Sequence, residues 1–189
     1  MELDTLHART VGAWTRLVEG IREDQWELPT PCTDWSVRDL VNHVVGEDAW
    51  TGPLVRGSTI EEVGDRFDGD LLGDEPVARA RDAAVEAVAA VAERMPGGGT
   101  VHLSYGEEQL GEYVQQLAAD HLVHAWDLAV ATGADATLDP ELVDVVAAWF
   151  SEREELYRSA GMVGPRVAAG DDAQSRLIAA SGRDPAWSA

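Results

Sequence analysis

Basic residues and cysteine are scarce in this sequence, and it has neither long apolar runs nor internal repeats. Lys+Arg number 14 against 35 Asp+Glu, a formal net charge of −21. So acidic a surface repels phosphate backbones and anionic lipid headgroups, so neither nucleic acid nor membrane is an expected partner. The single cysteine, Cys32, excludes an internal disulfide and any cysteine-rich zinc site. No apolar run approaches the roughly 20 residues that cross a bilayer. The opening MELDTLHART has acids at its second and fourth positions and no apolar stretch behind it, which is not a signal-peptide pattern. The expected location is cytoplasmic. Gly97-Gly-Gly99 lacks the Lys-Ser/Thr of a phosphate loop and reads as a helix stop. Nucleophile-elbow, dinucleotide-binding and kinase signatures are missing as well.

What remains is ordinary globular composition, 45% hydrophobic and 26% charged over 189 residues. That length suits one domain, 1–189, with a full core. Helical spacing of Val11, Trp14, Leu17, Val18 and Ile21 predicts a first helix over about 6–21. After the Pro-rich link 28–34, Ser36-Val-Arg-Asp39 reads as a capping box opening a second helix whose core stripe is Val37, Leu40, Val41, Val44 and Val45. Residues 56–74 read as a surface loop with a helical turn near 60–63. A third helix is expected over about 76–95, a short extended piece over 100–105, a fourth helix over 110–132 and a fifth over 140–160. The tail from Gly161 reads as loop packed along the bundle. The fold class is therefore all-α: an up-down four-helix bundle with an additional C-terminal helix and at most a short strand or hairpin arm. A homodimer is the base-rate expectation for a bundle with an apolar extra helix.

The fourth helix carries the chemistry. Tyr113, Leu117, Asp120, His124 and Leu128 fall within about 80° of one another at roughly 100° per residue. An acid and a histidine thus sit on one apolar stripe, side by side four residues apart. An ionised carboxylate there needs a partner. Two readings fit: a satisfied core network of Asp120 with His124 or an arginine, or two ligands of a metal ion completed from another helix. His43 on the second helix flanks its core stripe, which suits a group facing an interhelical cleft and equally a half-exposed surface histidine. Glu47, one turn on, suits a fourth ligand, a general base or a solvated acid. His121 and Asp127 are candidates to support a ligating imidazole through its other ring nitrogen. His7 and His102 read as surface groups, Cys32 as inert packing, and Trp14, Trp126 and Trp149 as core. Trp35 and Trp50 border the second helix, at what would be the mouth of a pocket.

Two segments carry a resemblance: Thr30-Pro-Cys-Thr-Asp-Trp-Ser-Val-Arg-Asp-Leu-Val-Asn-His43 and Asp120-His-Leu-Val-His-Ala-Trp-Asp-Leu-Ala-Val-Ala-Thr-Gly133. They resemble the actinobacterial DinB/YfiT-like proteins, and more closely the metal-binding branch related to the N-terminal domain of mycothiol-dependent maleylpyruvate isomerase. Arg176-Leu-Ile and Gly182-Arg-Asp-Pro185 are similar to the ending of that branch, so the resemblance runs over about residues 5–185. It implies a bundle holding a divalent metal through His43, Asp120 and His124, with Asp120 standing where the isomerase has Glu and many relatives have His. Asp oxygen is also a competent zinc ligand. Zinc is the implied ion; nickel or iron(II) accept the same donor set. The resemblance further implies a metal-dependent thiol transferase or isomerase using a small thiol such as mycothiol. Glu47 and Asp127 would then be the catalytic proton carriers or orienters. The isomerase carries a further C-terminal domain for which this chain leaves no room, so the isomerase reaction itself is not the expectation. A noncatalytic metal-binding or sensing module and a metal-dependent hydrolase are the alternatives.

Overall fold

The computed structural model describes residues 1–188. Helix α1 spans Leu3–Glu19 and is followed by a 3₁₀ turn at Glu23–Gln25. The link after it is pinned rather than loose: Thr30 N donates to Trp35 O at 3.1 Å and Val37 N to Leu28 O at 2.9 Å. Asp34 takes a positive φ of 66°, which Asp tolerates better than bulky residues. Helix α2, Val37–Val55, begins as its sequence dictates. The Ser36 hydroxyl accepts from Asp39 N at 3.2 Å, and the Asp39 carboxylate accepts from Ser36 N at 2.9 Å. One helical turn follows, α3 at Ile60–Val63, then α4 at Pro76–Arg94. Ala80, Ala84, Ala87 and Ala90 are buried on α4, small side chains that let neighbouring helices approach closely. Pro96 and the glycines after it stop α4. A hairpin of β1, Thr100–Leu103, and β2, Gly106–Gln109, pairs antiparallel with Thr100 opposite Gln109 and Leu103 opposite Gly106. Helix α5, Leu110–Thr132, is the longest and ends at Gly133, whose φ of 70° is left-handed.

Helices α1, α2, α4 and α5 form the bundle. Around its cross-section α1 packs on α5 and α4, and α2 packs on α4 and α5. Helices α1 and α2 therefore face one another across the diagonal, as do α4 and α5. Long links permit this; very short ones would force chain neighbours to be spatial neighbours. The core joins Leu6, Trp14, Val18, Leu40, Val44 and Leu122 with residues of the C-terminal segment. No helix is long and apolar enough to cross a membrane among the described residues.

The C-terminal segment differs from its expected form. The expected fifth helix is two: α6 at Pro140–Ser151 and α7 at Glu154–Ser159. The chain leaves helical geometry at Arg153 (φ −120°), whose side chain reaches across to both carboxylate oxygens of Glu112 on α5. The tail is not all loop. Helix α8, Ala173–Ala180, is capped by Asp172, which accepts from Ser175 N at 2.8 Å, and buries Leu177, Ile178, Ala179 and Ala180. It packs on α6. Gly182 follows with φ 84°, and a Cβ there would stand 2.9 Å from the backbone of Gly164. Only glycine lets the tail loop close against the end of α8.

Candidate metal centre

Helix α2 contributes His43 and α5 contributes Asp120 and His124, and the packing of α2 on α5 brings all three together. Their ligand atoms lie within 4.8 Å of one another. His43 Nε2 is 3.6 Å from Asp120 Oδ2, and His124 Nε2 is 3.3 Å from Asp120 Oδ1. The first is too long for a hydrogen bond. Both are close to the roughly 3.4 Å separation of donors around a tetrahedral ion with bonds of about 2.0–2.1 Å. Asp120 Oδ2 is buried with no hydrogen-bond partner, an orphaned acceptor turned toward the imidazole of His43. The two imidazole rings meet edge to face at 5.1 Å, and Trp35 packs on His43 at 5.0 Å. Two imidazole nitrogens and a carboxylate oxygen form a donor set that suits zinc.

The other edge of His124 is fixed. Its Nδ1–H donates to Asp127 Oδ2 at 2.9 Å, which turns Nε2 toward Asp120, the edge a ligand would use. Asp127 is fully buried, and the same Oδ2 accepts from Nε and a terminal nitrogen of Arg183, both at 3.3 Å. Asp127 thus orients the ring and does not line the cavity. Cys32 joins this layer: its Sγ is 3.4 Å from Asp127 Oδ2 and 3.9 Å from His124 Nδ1, and accepts from Arg183 at 3.5 Å. Burial alone would lower the pKa of His124, but Asp120 and Asp127 raise it well above its ordinary value. Burial likewise would raise that of Asp120, yet His124 and His43 hold it well below the usual carboxylate range. Glu47 lines the cavity beside His43 and Asp120. Burial, then the Asp120 charge, push its pKa up, against the pull of three histidines.

Three histidine and tryptophan expectations change. His121 faces the bundle interior instead of supporting a ligand: Nδ1 lies 2.8 Å from Leu117 O and Nε2 3.2 Å from buried Asp48. His7 is not a surface group; it is fully buried and meets His121 edge to face at 5.9 Å. Trp50 packs on Phe67, away from the three ligands, whereas Trp35 does flank the site. Trp14, Trp126 and Trp149 are buried, as expected. His102 is half exposed on the hairpin, 3.8 Å from Glu107. Arg183 and Cys32 are the contributors that residue patterns alone missed. Arg183 stands within the Gly182-Arg-Asp-Pro185 ending, but nothing local says which carboxylate it reaches.

The profile of the mycothiol maleylpyruvate isomerase N-terminal domain matches residues 7–129. Two uncharacterized proteins of Mycobacterium tuberculosis, from strains CDC 1551 and H37Rv, are each 36% identical over 165 residues, covering 85% of this chain and 79% of theirs. No solved structure matches. The matched segment contains all three candidate ligands and the bundle that positions them, and the chain belongs to the mycothiol maleylpyruvate isomerase N-terminal domain family.

Proposed function

We propose that His43, Asp120 and His124 hold one divalent ion, zinc by its donor set, and that the chain is a metal-dependent thiol transferase or isomerase using a small thiol such as mycothiol. The observation that carries this is the orphaned Oδ2 of Asp120 in a trio whose second imidazole is held by Asp127 with Nε2 toward the carboxylate. A satisfied core network would leave no such acceptor. Three protein ligands leave an open position, as in catalytic zinc sites. When bound, such an ion acidifies a thiol or water, or polarises a carbonyl. The family name supports the choice of thiol.

The chain's own residues divide the remaining work. Asp127, backed by Arg183, keeps His124 turned with its Nε2 toward Asp120. Glu47, beside the ligands on the cavity wall, is placed to take a proton from an incoming thiol and return it to product. Burial and the Asp120 charge raise its affinity for a proton, the direction such an exchange needs.

Elemental analysis of tag-free protein tests the metal: about one equivalent is expected, and little in His43→Ala. Mycothiol should bind the metal-loaded protein and not the stripped one. Equal metal content in both proteins would refute the site. If metal removal only lowers the melting temperature, with no thiol binding, the chain is a noncatalytic module. Metal-dependent turnover of simple esters, lost in His124→Ala, would mark a hydrolase instead.

A further inference from the structure

A cavity of about 290 Å³ opens beside the three ligands, at the small end of the range for ligand pockets. It has two unlike ends. His43, Glu47 and Asp120 make one polar; Val146, Trp149, Phe150, Tyr157, Val163 and Leu177 make the other apolar. The candidate ligands lie inside the family-matched segment together with the apolar lining residues Tyr113, Leu117 and Val123, while the aromatic cluster of Trp149, Phe150 and Tyr157 lies outside it, on α6 and α7.

The apolar end is a rigid aromatic wall. Trp149 lies 6.2 Å from Phe150 and 5.8 Å from Tyr157, and Phe150 stacks on Tyr157 at 6.0 Å. The indole N–H of Trp149 donates to both Glu112 oxygens, at 3.2 and 3.1 Å. Arg153 clamps the same carboxylate and lies over the indole at 5.2 Å. The polar handle of Trp149 is therefore spent on α5. Such a wall favours a flat apolar partner.

Charge decides what kind of flat partner. The sequence has no lysine, and its 14 basic side chains are all arginine. Among the described residues Arg183 is the one arginine lining the cavity. Its guanidinium already serves Asp127 Oδ2, Ser181 O and Cys32 Sγ. Glu47 and Asp120 present carboxyl groups to the same space. Away from the proposed ion, a carboxylate or phosphate on the ligand finds no uncommitted guanidinium here, so one anionic group at most is served, and only at the ion itself.

We infer that the cavity binds a compact aromatic molecule with one polar group, its uncharged ring against Trp149, Phe150 and Tyr157 and its polar group toward His43 and Asp120. This deepens the proposed function and rests on it only for where the polar group goes. The test is titration of the zinc-loaded full chain with acetophenone and, separately, with the dianion maleate, followed by ligand-observed NMR. Acetophenone should bind, and maleate, which lacks a ring for the aromatic wall and whose second carboxylate finds no cation, should bind more weakly. Val163→Trp fills the apolar end from a half-buried loop position and should weaken acetophenone at least tenfold, with zinc content and helical circular dichroism unchanged. Val146→Phe on α6 is the second filling variant, with the same expectation. Maleate binding in preference to acetophenone, or acetophenone affinity unchanged in both folded variants, would overturn the inference. The metal reading fails separately: acetophenone bound by a chain that takes up no zinc upholds the cavity and removes the ion, while normal zinc with no acetophenone binding removes the cavity assignment alone.

Discussion

At the residue scale, Asp127 separates orientation from ligation. Its carboxylate contacts His124, Arg183 and Cys32. Asp127→Asn keeps the shape and removes the charge that holds the ring. Loss of such an outer partner costs metal affinity about 10–100-fold elsewhere, and the same fall is expected here in a competitive zinc titration. Unchanged affinity would show that His124 needs no such support. His7 yields a pH prediction. Burial, with His121 adding to it, lowers its pKa from 6.5 to about 3. The folded chain thus keeps His7 neutral down to about pH 3, while the unfolded chain protonates it near pH 6.5. Between those values the unfolded state binds the extra proton, so stability falls as pH falls, by about 1.4 kcal/mol per pH unit. Below pH 3 both states are protonated and this loss stops. Urea unfolding from pH 7.5 to 4 should therefore decline less steeply in His7→Leu than in the parent. Equal slopes would refute the assignment.

At the element scale, α2 and α8 contrast. The start of α2 was readable because Ser36 and Asp39 form a local, reciprocal pair. Ser36→Ala should cost about 1 kcal/mol in chemical unfolding. Helix α8 was not readable: its apolar run is too short to show a period, and its burial comes from packing on α6. Ile178 is fully buried in the main core. Ile178→Ala should destabilise by roughly 2–5 kcal/mol, within the range for core truncations. Because α8 leads directly into Gly182 and Arg183, the same variant should also weaken zinc binding. A large stability loss with zinc affinity untouched would show that α8 does not position Arg183.

At the scale of the whole molecule, charge is the dominant feature. With 35 acids against 14 arginines, self-repulsion opposes compaction at low salt. Local pairs such as Arg9 with Asp139 and Glu141, at 2.7 and 2.6 Å, offset little of it because they are exposed. The melting temperature should rise between about 20 mM and 500 mM NaCl, as the Debye length shrinks well below molecular dimensions. A fall would mean that ion pairs outweigh the net repulsion.

The linear order of residues was enough for the helix class, the cap of α2, the stop at Gly133 and the Asp120/His124 pair. Each of these depends on neighbours a few positions apart, or on spacing along one helix. His43 joined that pair only through the family resemblance. Three-dimensional packing alone shows that Asp120 Oδ2 lacks a hydrogen-bond partner, because that depends on what α2 brings to α5. The same holds for burying His7 against His121 and for closing the tail over the site to deliver Arg183 to Asp127. Residues 56 positions apart share a hydrogen bond there, and no local pattern encodes that meeting. Hydrophobic burial of α8 brings it about, and the polar contacts follow from where that burial leaves the chain.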